Sequence, residues 1–549
     1  ITIKAITATT KAVVIIPFTT DPKAFMKRIN IFIMALATLS VATSCDSYLD
    51  KLPDDRAEVN TPEKATSLLV SAYSNHSPAF LLEMSSDNVM DNGKQYTTQI
   101  NQEMAYRWQE VVTVGNDDPR SIWNSAYIAV GTANEALASL AKLPDNASNQ
   151  ALKAEALLCR AYAMFTLGNT FCMSYNPNKA ETFLGLPYPK EPGVSVDERG
   201  TMKQLYENID ADIEAALPYV SDAHLTVPKY HFNSAAAYAF AARFNLYYLK
   251  FDKAKQYADK VLGTGTPTLR DVATYGNLAG VDDIGNAYVR SGENANLMFQ
   301  TAYSINGRAF RSSSFNRFNH GRSIVSYETF WAVSPWGSGS SNNTLYEARY
   351  LYGTNQTIYY PKMLEMFEIT DKVNSTGYAH TVDAAFTTDE TLLVRAEANA
   401  LLGNTEASLT DINYWINAHC KPVAGTATRP VMTEASLNDF FNKITEVPVP
   451  VKTDKERTIK KPLHPQGFTV EEGTQTNLIY LILQMRRIET WQQGLRFLDI
   501  KRYGLEITHN LDGEDPLVFK AGDLRGAIQL PADVVTAGLE PNPRETTNK

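Results

Sequence analysis

Two stretches of the chain hold side chains suited to gripping a polyhydroxylated ligand. In the run FWAVSPWGSGSSNN, Trp331 and Trp336 stand among Ser, Gly and Asn, with no helical stripe to bury them. Tyr346, Tyr350 and Tyr352 follow, with Arg349 between them as a fork of donors. Earlier, SSDNVMDNGKQY sets Asp87, Asn88, Asp91, Asn92 and Tyr96 in a polar loop after an apolar segment. Aromatic faces stack on the apolar C–H side of a pyranose, and planar polar groups satisfy its hydroxyls. Loops held by a rigid frame are where such groups belong.

Patterns for bond-breaking chemistry are missing from the sequence. It contains no HExxH, GxSxG, P-loop or strand-linked GxGxxG. The eight His are dispersed and none stands at metal-ligand spacing. Asp87/Asp91 and Asp282/Asp283 do not follow the EF-hand loop, so no cofactor is expected, and any calcium would occupy an irregular site that the sequence does not place. A glycosidase needs only two carboxylates brought together in space, and 60 acids leave that alternative standing.

The frame that would carry these loops reads as helical. In 151–168, Leu157, Leu158, Ala161, Tyr162 and Phe165 form one wide apolar stripe that stops at Gly168. In 122–140, Trp123, Tyr127, Val130, Asn134 and Leu137 share a face, and the two segments make a hairpin through Pro144-Asp145-Asn146. The same construction recurs at 234–250 with 251–262, and at 390–402 with 405–416 across Gly403-Asn404. Alanine-rich first helices and short turns favour close antiparallel packing. The hairpins resemble tetratricopeptide units but are scattered, without the tandem period of about 34 residues. The expected fold is mostly α: tetratricopeptide-like hairpins as scaffold, long irregular insertions and few short strands. Residues 263–385, rich in Gly, Ser, Asn and aromatics, are expected to be ordered and irregular, with short strands. A second non-helical stretch, 420–475, is rich in Pro, Thr and Lys.

At the amino end, MKRINIFIMALATLSVATSC begins at Met26: a basic pair, a 13-residue apolar run over 29–41, then small residues and Cys45. The run is too short to span about 30 Å of hydrocarbon and has the layout of a secretory signal. Ala42-Thr43-Ser44-Cys45 resembles a bacterial lipobox, with Ala42 where Leu is usual. Cys45 is therefore the expected lipid-attachment site, against the alternative of a plain signal peptide with an incidental thiol. Residues 1–25 read as an upstream extension, 26–44 as the signal and 45–549 as one domain. That domain divides into helical (46–262), loop-rich (263–385) and carboxy-terminal (386–549) parts. The other cysteines, Cys159, Cys172 and Cys420, are an odd number and make no disulfide framework; Cys159, inside an apolar helical pattern, is expected as a buried free thiol, against the alternative of a Cys159–Cys172 bridge. With 51 basic and 60 acidic residues the chain carries a net charge of −9 and no basic block, which argues against nucleic acid as a partner.

These residues resemble the SusD/RagB family of outer-membrane nutrient-binding lipoproteins. The resemblance rests on CDSYLDKL from Cys45, Ser86-Asp87-Asn88, WNSAYIAVGTAN over 123–134 and AEALLCRAYAMFTL over 154–167. RRIETWQQGLRFLDIKRYG over 486–504 completes it, with Leu530-Pro531, Asn542-Pro543 and Glu397 in RAEANALLGN. Gln493 before Gly494 departs from the acid usual there. The resemblance implies a helical, lipid-anchored cell-surface protein that delivers glycans, or sometimes peptides, to a SusC-type TonB-dependent transporter. It also implies that the two polar and aromatic loops lie near the ligand cleft, which makes Trp331, Trp336 and Tyr96 the expected platform and Asn92 and Asp91 its hydroxyl partners. Trp123, Trp415 and Trp491, on amphipathic helices, are expected in the core. Arg486, Arg487, Arg496 and Asp499 are expected to form a helix-packing charge network.

Overall fold

The computed structural model describes residues 60–193, 198–311, 316–351 and 357–544. Cys45 and the signal segment lie outside the described residues, as does Tyr352. Helices begin where the sequence supplies caps. Thr61 caps α1 (Pro62–Leu69), accepting from the backbone N–H of Lys64. The short α2 (Ala79–Ser85) is buried along its whole length. The first predicted hairpin is α3 (Pro119–Leu140) against α4 (Ala147–Phe171), whose cap Asn146 accepts from the Asn149 N–H at 3.0 Å. Both helices start earlier than the apolar stripe does, because Pro119 and Asn146 supply helix-start chemistry ahead of it.

A capping box at Thr201 and Gln204 opens α5 (Met202–Ala216), which packs on α4. The second hairpin is α6 (Ser234–Tyr247) with α7 (Phe251–Leu262). The third is α8 (Thr388–Leu401) with α9 (Thr405–His419), turned by Gly403 at φ +77°. Behind it lie α10 (Thr474–Glu489) and α11 (Leu495–Tyr503). Gly494 opens α11 at φ +75°, and a Cβ there would sit 2.8 Å from the Ala79 carbonyl oxygen, so only glycine lets α11 start against α2. No described helix is long and apolar enough to cross a membrane.

Among its described residues, the loop-rich part holds short helices, short two-stranded pairings and one three-stranded antiparallel sheet. Its strands are β1 (Asn296–Ala302), β2 (Glu365–Asp371) and β3 (Thr376–Thr387), with β3 in the middle. Phe299 stands opposite Ala384 and Phe367 opposite Ala379. Thr387 ends β3 and caps α8, accepting from the Glu390 N–H at 3.1 Å, so the sheet feeds directly into the third hairpin. Cys159, Cys172 and Cys420 are buried free thiols.

Two buried charge clusters tie these elements together. Arg496 donates to both oxygens of Asp87 at 2.8 and 2.9 Å, and Arg487 donates to the Asp87 carbonyl and to Asn88 Oδ1. Arg487, Arg457 and Lys461 converge on Glu328 at 2.9, 2.6 and 2.8 Å. Burial would raise the Asp87 carboxyl, but the Arg487 and Arg496 guanidiniums hold it well below the usual range. In the second cluster Asp499 pairs with Arg486 and Arg502, and Glu397 accepts from Arg502 and the Tyr503 hydroxyl. The four expected network residues are therefore all in place, whereas Asp87 and Asn88 lie inside the protein rather than in an open polar loop.

Removing one partner of such a cluster leaves an uncompensated buried charge, at a cost of about 3–5 kcal/mol. Asp87→Ala is expected to lower the unfolding free energy by that amount in urea titrations. A loss of less than about 1 kcal/mol, the range of an ordinary surface change, would contradict the assignment.

Candidate functional site

The expected tryptophan platform is closed. Trp336 is 1% exposed and packs on Trp415, with ring centroids 5.5 Å apart. Trp331 is 7% exposed, its Nε1–H donates to Glu347 at 2.7 Å, and the Arg349 guanidinium lies 5.0 Å over its ring. The loop folds back on itself: Gly337 pairs with Asn343, and the Tyr346 N–H reaches the His419 carbonyl. Ser, Gly and Asn satisfy their backbone groups in these turns, so a polar sequence still drives two large rings inward.

The polar partners are engaged too. Asp91 accepts from Arg317 at 3.2 and 3.0 Å and from the backbone of Gly93 and Asp512. Asn92 donates to the Asn316 carbonyl at 2.9 Å, and Tyr96 is half-buried beside them. Asp91 and Asn92 brace the short pairing of Met90–Asp91 with Phe318–Asn319, while the tryptophans engage Glu347 and Trp415. The two groups thus have different partners and do not assemble as one platform.

Open rings occur instead on one face of the three-stranded sheet. Strand alternation and pairing set Phe299 and Thr301 of β1, Val382, His380 and Tyr378 of β3, and Met366 and Glu368 of β2 on that face. Tyr303, next in the same alternation, lies 5.6 Å edge-on from Tyr378, and His76 lies 5.8 Å from Tyr303. At the other end Tyr230 leans on Phe299 at 5.5 Å. Tyr378 is 57% exposed and Tyr230 41%, with exposed Thr301 between the two ring groups. From Phe299 to Tyr303 the strand path is about 13 Å, at roughly 3.3 Å per residue. The result is an interrupted strip: Phe299 and Val382 are buried, and the open rings stand as Tyr230 at one end and Tyr378 with half-buried Tyr303 at the other, alongside hydroxyl, imidazole and carboxylate groups.

Buried polar clamps fix both ends of the strip. The Tyr303 N–H donates to the Asn75 carbonyl at 2.9 Å. Next to it, the Ser304 hydroxyl and the Ile305 N–H both donate to Asp117. Burial, with Asp118 and Glu365 nearby, pushes the Asp117 carboxyl up to about 7. The segment carrying Tyr230 is tied down at Glu155, which accepts from His224 at 2.9 Å, His231 at 2.7 Å and the Tyr73 hydroxyl at 2.8 Å. Burial alone would raise the Glu155 carboxyl, but the two imidazoles and Tyr73 hold it at about 2.

Sequence reading missed Tyr230, Tyr303 and Tyr378 because they lie in three remote segments and form no local motif. The only signal was the alternation through β1 and β3, which shows that Thr301 and Tyr303 share a face but not that Tyr378 meets them.

Two outcomes follow from this geometry. Trp336→Ala should destabilise the fold by about 3–5 kcal/mol, whereas Tyr378→Ala should change it by no more than about 0.5 kcal/mol, both read from chemical denaturation. Since Glu155 is held below its usual 4.5, its stabilisation is complete above that pH and is lost as pH falls toward 2. Stability curves between about pH 5 and pH 3 should therefore slope less steeply in Glu155→Gln than in the unaltered protein. Identical slopes would contradict the clamp.

Comparison with known proteins gives the following. Residues 47–246 match the family model SusD-like_3, described as starch-binding and associating with the outer membrane. Among solved structures, a SusD superfamily protein from Bacteroides fragilis superposes with a TM-score of 0.58 at 16% identity, covering 87% of this chain and 98% of that one. A SusD-like carbohydrate-binding protein from Bacteroides vulgatus gives 0.53 at 14% identity, covering 84% and 89%. A laminarin-binding SusD-like protein gives 0.51 at 18% identity, covering 88% and 99%. A search of curated proteins found no match. At these identities the structural likenesses speak to the fold.

Proposed function

Taking as premise that this chain is SusD-like, by family model over residues 47–246 and by fold over the described residues, we propose that it is a non-catalytic glycan-binding lipoprotein of the cell surface. In this reading Cys45 carries the lipid, the sheet strip captures an oligo- or polysaccharide, and a SusC-type TonB-dependent transporter receives it. The supporting observation is the pair of open ring groups on one sheet face, Tyr230 at one end and Tyr378 with half-buried Tyr303 at the other, with exposed Thr301 between them. A tyrosine ring presents an apolar face to a pyranose while its hydroxyl stays in water. Thr301, His380 and Glu368 share that sheet face and offer hydroxyl, imidazole and carboxylate groups that suit sugar hydroxyls.

A second reading, an extended peptide as the ligand, has one observation in its favour. Strand β2 forms an edge of the sheet and exposes Phe367 and Ile369, which suits addition of a further strand.

Affinity electrophoresis against a polysaccharide panel, run beside a peptide mixture, separates the two readings. With a retarding polysaccharide, Tyr378→Ala and Tyr303→Ala should each weaken binding by about 1 kcal/mol, or roughly fivefold. Binding unchanged in the folded double variant would reject the strip as the site. Retardation by no polysaccharide would reject the glycan reading itself. Lipid labelling sensitive to globomycin and lost in Cys45→Ala tests the anchor.

A further inference from the structure

Away from the strip, three side chains from separate helices converge in the interior: Asp389 at the start of α8, His419 at the end of α9 and Glu489 at the end of α10. All three are buried, and one ligand atom from each lies within 4.8 Å of the other two. His419 Nε2 stands 3.5 Å from Asp389 Oδ1 and 3.2 Å from Glu489 Oε2. A tetrahedral zinc ion with bonds of about 2.0–2.1 Å holds its ligand atoms roughly 3.3 Å apart. The two distances fit the edges of such a polyhedron.

The imidazole is oriented for that role. His419 Nδ1 faces the Trp415 carbonyl oxygen at 3.0 Å, the hydrogen bond that makes Nδ1 the N–H and leaves the Nε2 lone pair free. The ring is stacked on Trp415 at 4.2 Å and 6°, so it cannot swing away. His419 is 4% exposed, and its Nε2 makes no hydrogen bond of acceptable geometry with any described residue, although two carboxylate oxygens are close. A buried lone pair aimed between two carboxylates is repulsive unless a metal ion or a proton on Nε2 lies there, and the site is built to hold one or the other.

Neighbouring groups leave the carboxylates with coordination capacity. Asp389 accepts from the Arg270 backbone N–H at 3.2 Å, and Glu489 accepts from Trp415 Nε1 at 3.3 Å. The Arg270 guanidinium is directed at Tyr275, the Tyr288 carbonyl and Asn296. Lys362 donates to the Ile488 and Glu489 carbonyls, its Nζ 3.9 Å from Glu489 Oε1. Two carboxylates with a neutral imidazole carry two negative charges, shared between the ion and the buried Lys362 and Arg270 cations beside them.

We propose that Asp389, His419 and Glu489 form a structural site for a divalent transition ion of the zinc class, with one carboxylate binding through both oxygens to complete four-coordination. An imidazole donor selects zinc-like ions over calcium or magnesium, which prefer all-oxygen shells. The ion cross-links α8, α9 and α10. It also steadies the Trp336 loop, which rests on Trp415 and on the His419 carbonyl. The proposal is independent of the ligand carried on the sheet.

The test uses the full mature chain, stripped with a chelator and titrated with zinc alone. One equivalent should bind and raise the melting temperature, and binding should fall at least tenfold in His419→Gln and in Glu489→Gln. Zinc affinity equal to wild type in both variants would overturn the site, as would no binding by the wild type. Should the variants misfold, nitrogen-detected NMR of the wild type decides. In the zinc-loaded protein, one protonated nitrogen on His419 supports coordination, and two protonated nitrogens, the imidazolium bridging both acids, refute it.

Discussion

Everything in this fold is referred to a small volume in which Asp87 and Glu328 are surrounded by Arg487, Arg496, Arg457 and Lys461. A buried carboxylate is tolerated only where cations and hydrogen bonds replace the water it lost. That requirement is geometric, because a guanidinium must meet both oxygens of its partner in one plane. The six residues come from a loop after α2, the aromatic insertion, the Pro-rich stretch, α10 and the start of α11. Their meeting therefore fixes how the amino-terminal hairpins, the insertion and the carboxy-terminal helices sit against one another. Apolar packing alone would accept many registers, whereas a charge cluster accepts few.

The same logic operates at smaller scale around the strip. Tyrosines left in water gain nothing from burial, so their positions have to be imposed by the backbone that carries them. Glu155 and Asp117, both enclosed, do this by accepting hydrogen bonds from the segments bearing Tyr230 and Tyr303. Tyr378 needs no clamp of its own, because β3 is the central strand of the sheet and continues into α8. On the proposed reading of the strip as the ligand site, this order lowers the entropy lost when a ligand settles on it.

Periodicity made the helices legible. The stripes of 122–140 and 151–168, the alanine-rich 234–250 and the segment 390–402 correspond to observed helices, with ends moved by caps such as Asn146 and Thr387. The charge motif around Arg486 was legible as well, since such residues on amphipathic helices must find partners inside. The loops were not legible. A run of Ser, Gly and Asn around Trp331 and Trp336 reads as exposed, yet the turns it makes satisfy its own backbone and leave the rings free to seek the core. Asp91 and Asn92 read as free acceptors and donors until Arg317 and Asn316, more than two hundred residues away, engage them.

The amino-acid sequence by itself determined the helical scaffold, the scattered hairpins and the family likeness, because each depends on neighbours within a few residues. Only the tertiary structure decided which rings face water and which carboxylates meet an imidazole. Those outcomes depend on contacts between segments such as Tyr303 with Tyr378, or Asp389 with His419 and Glu489. No local pattern encodes them, since burial is a property of what packs above a residue rather than of the residues beside it in the chain.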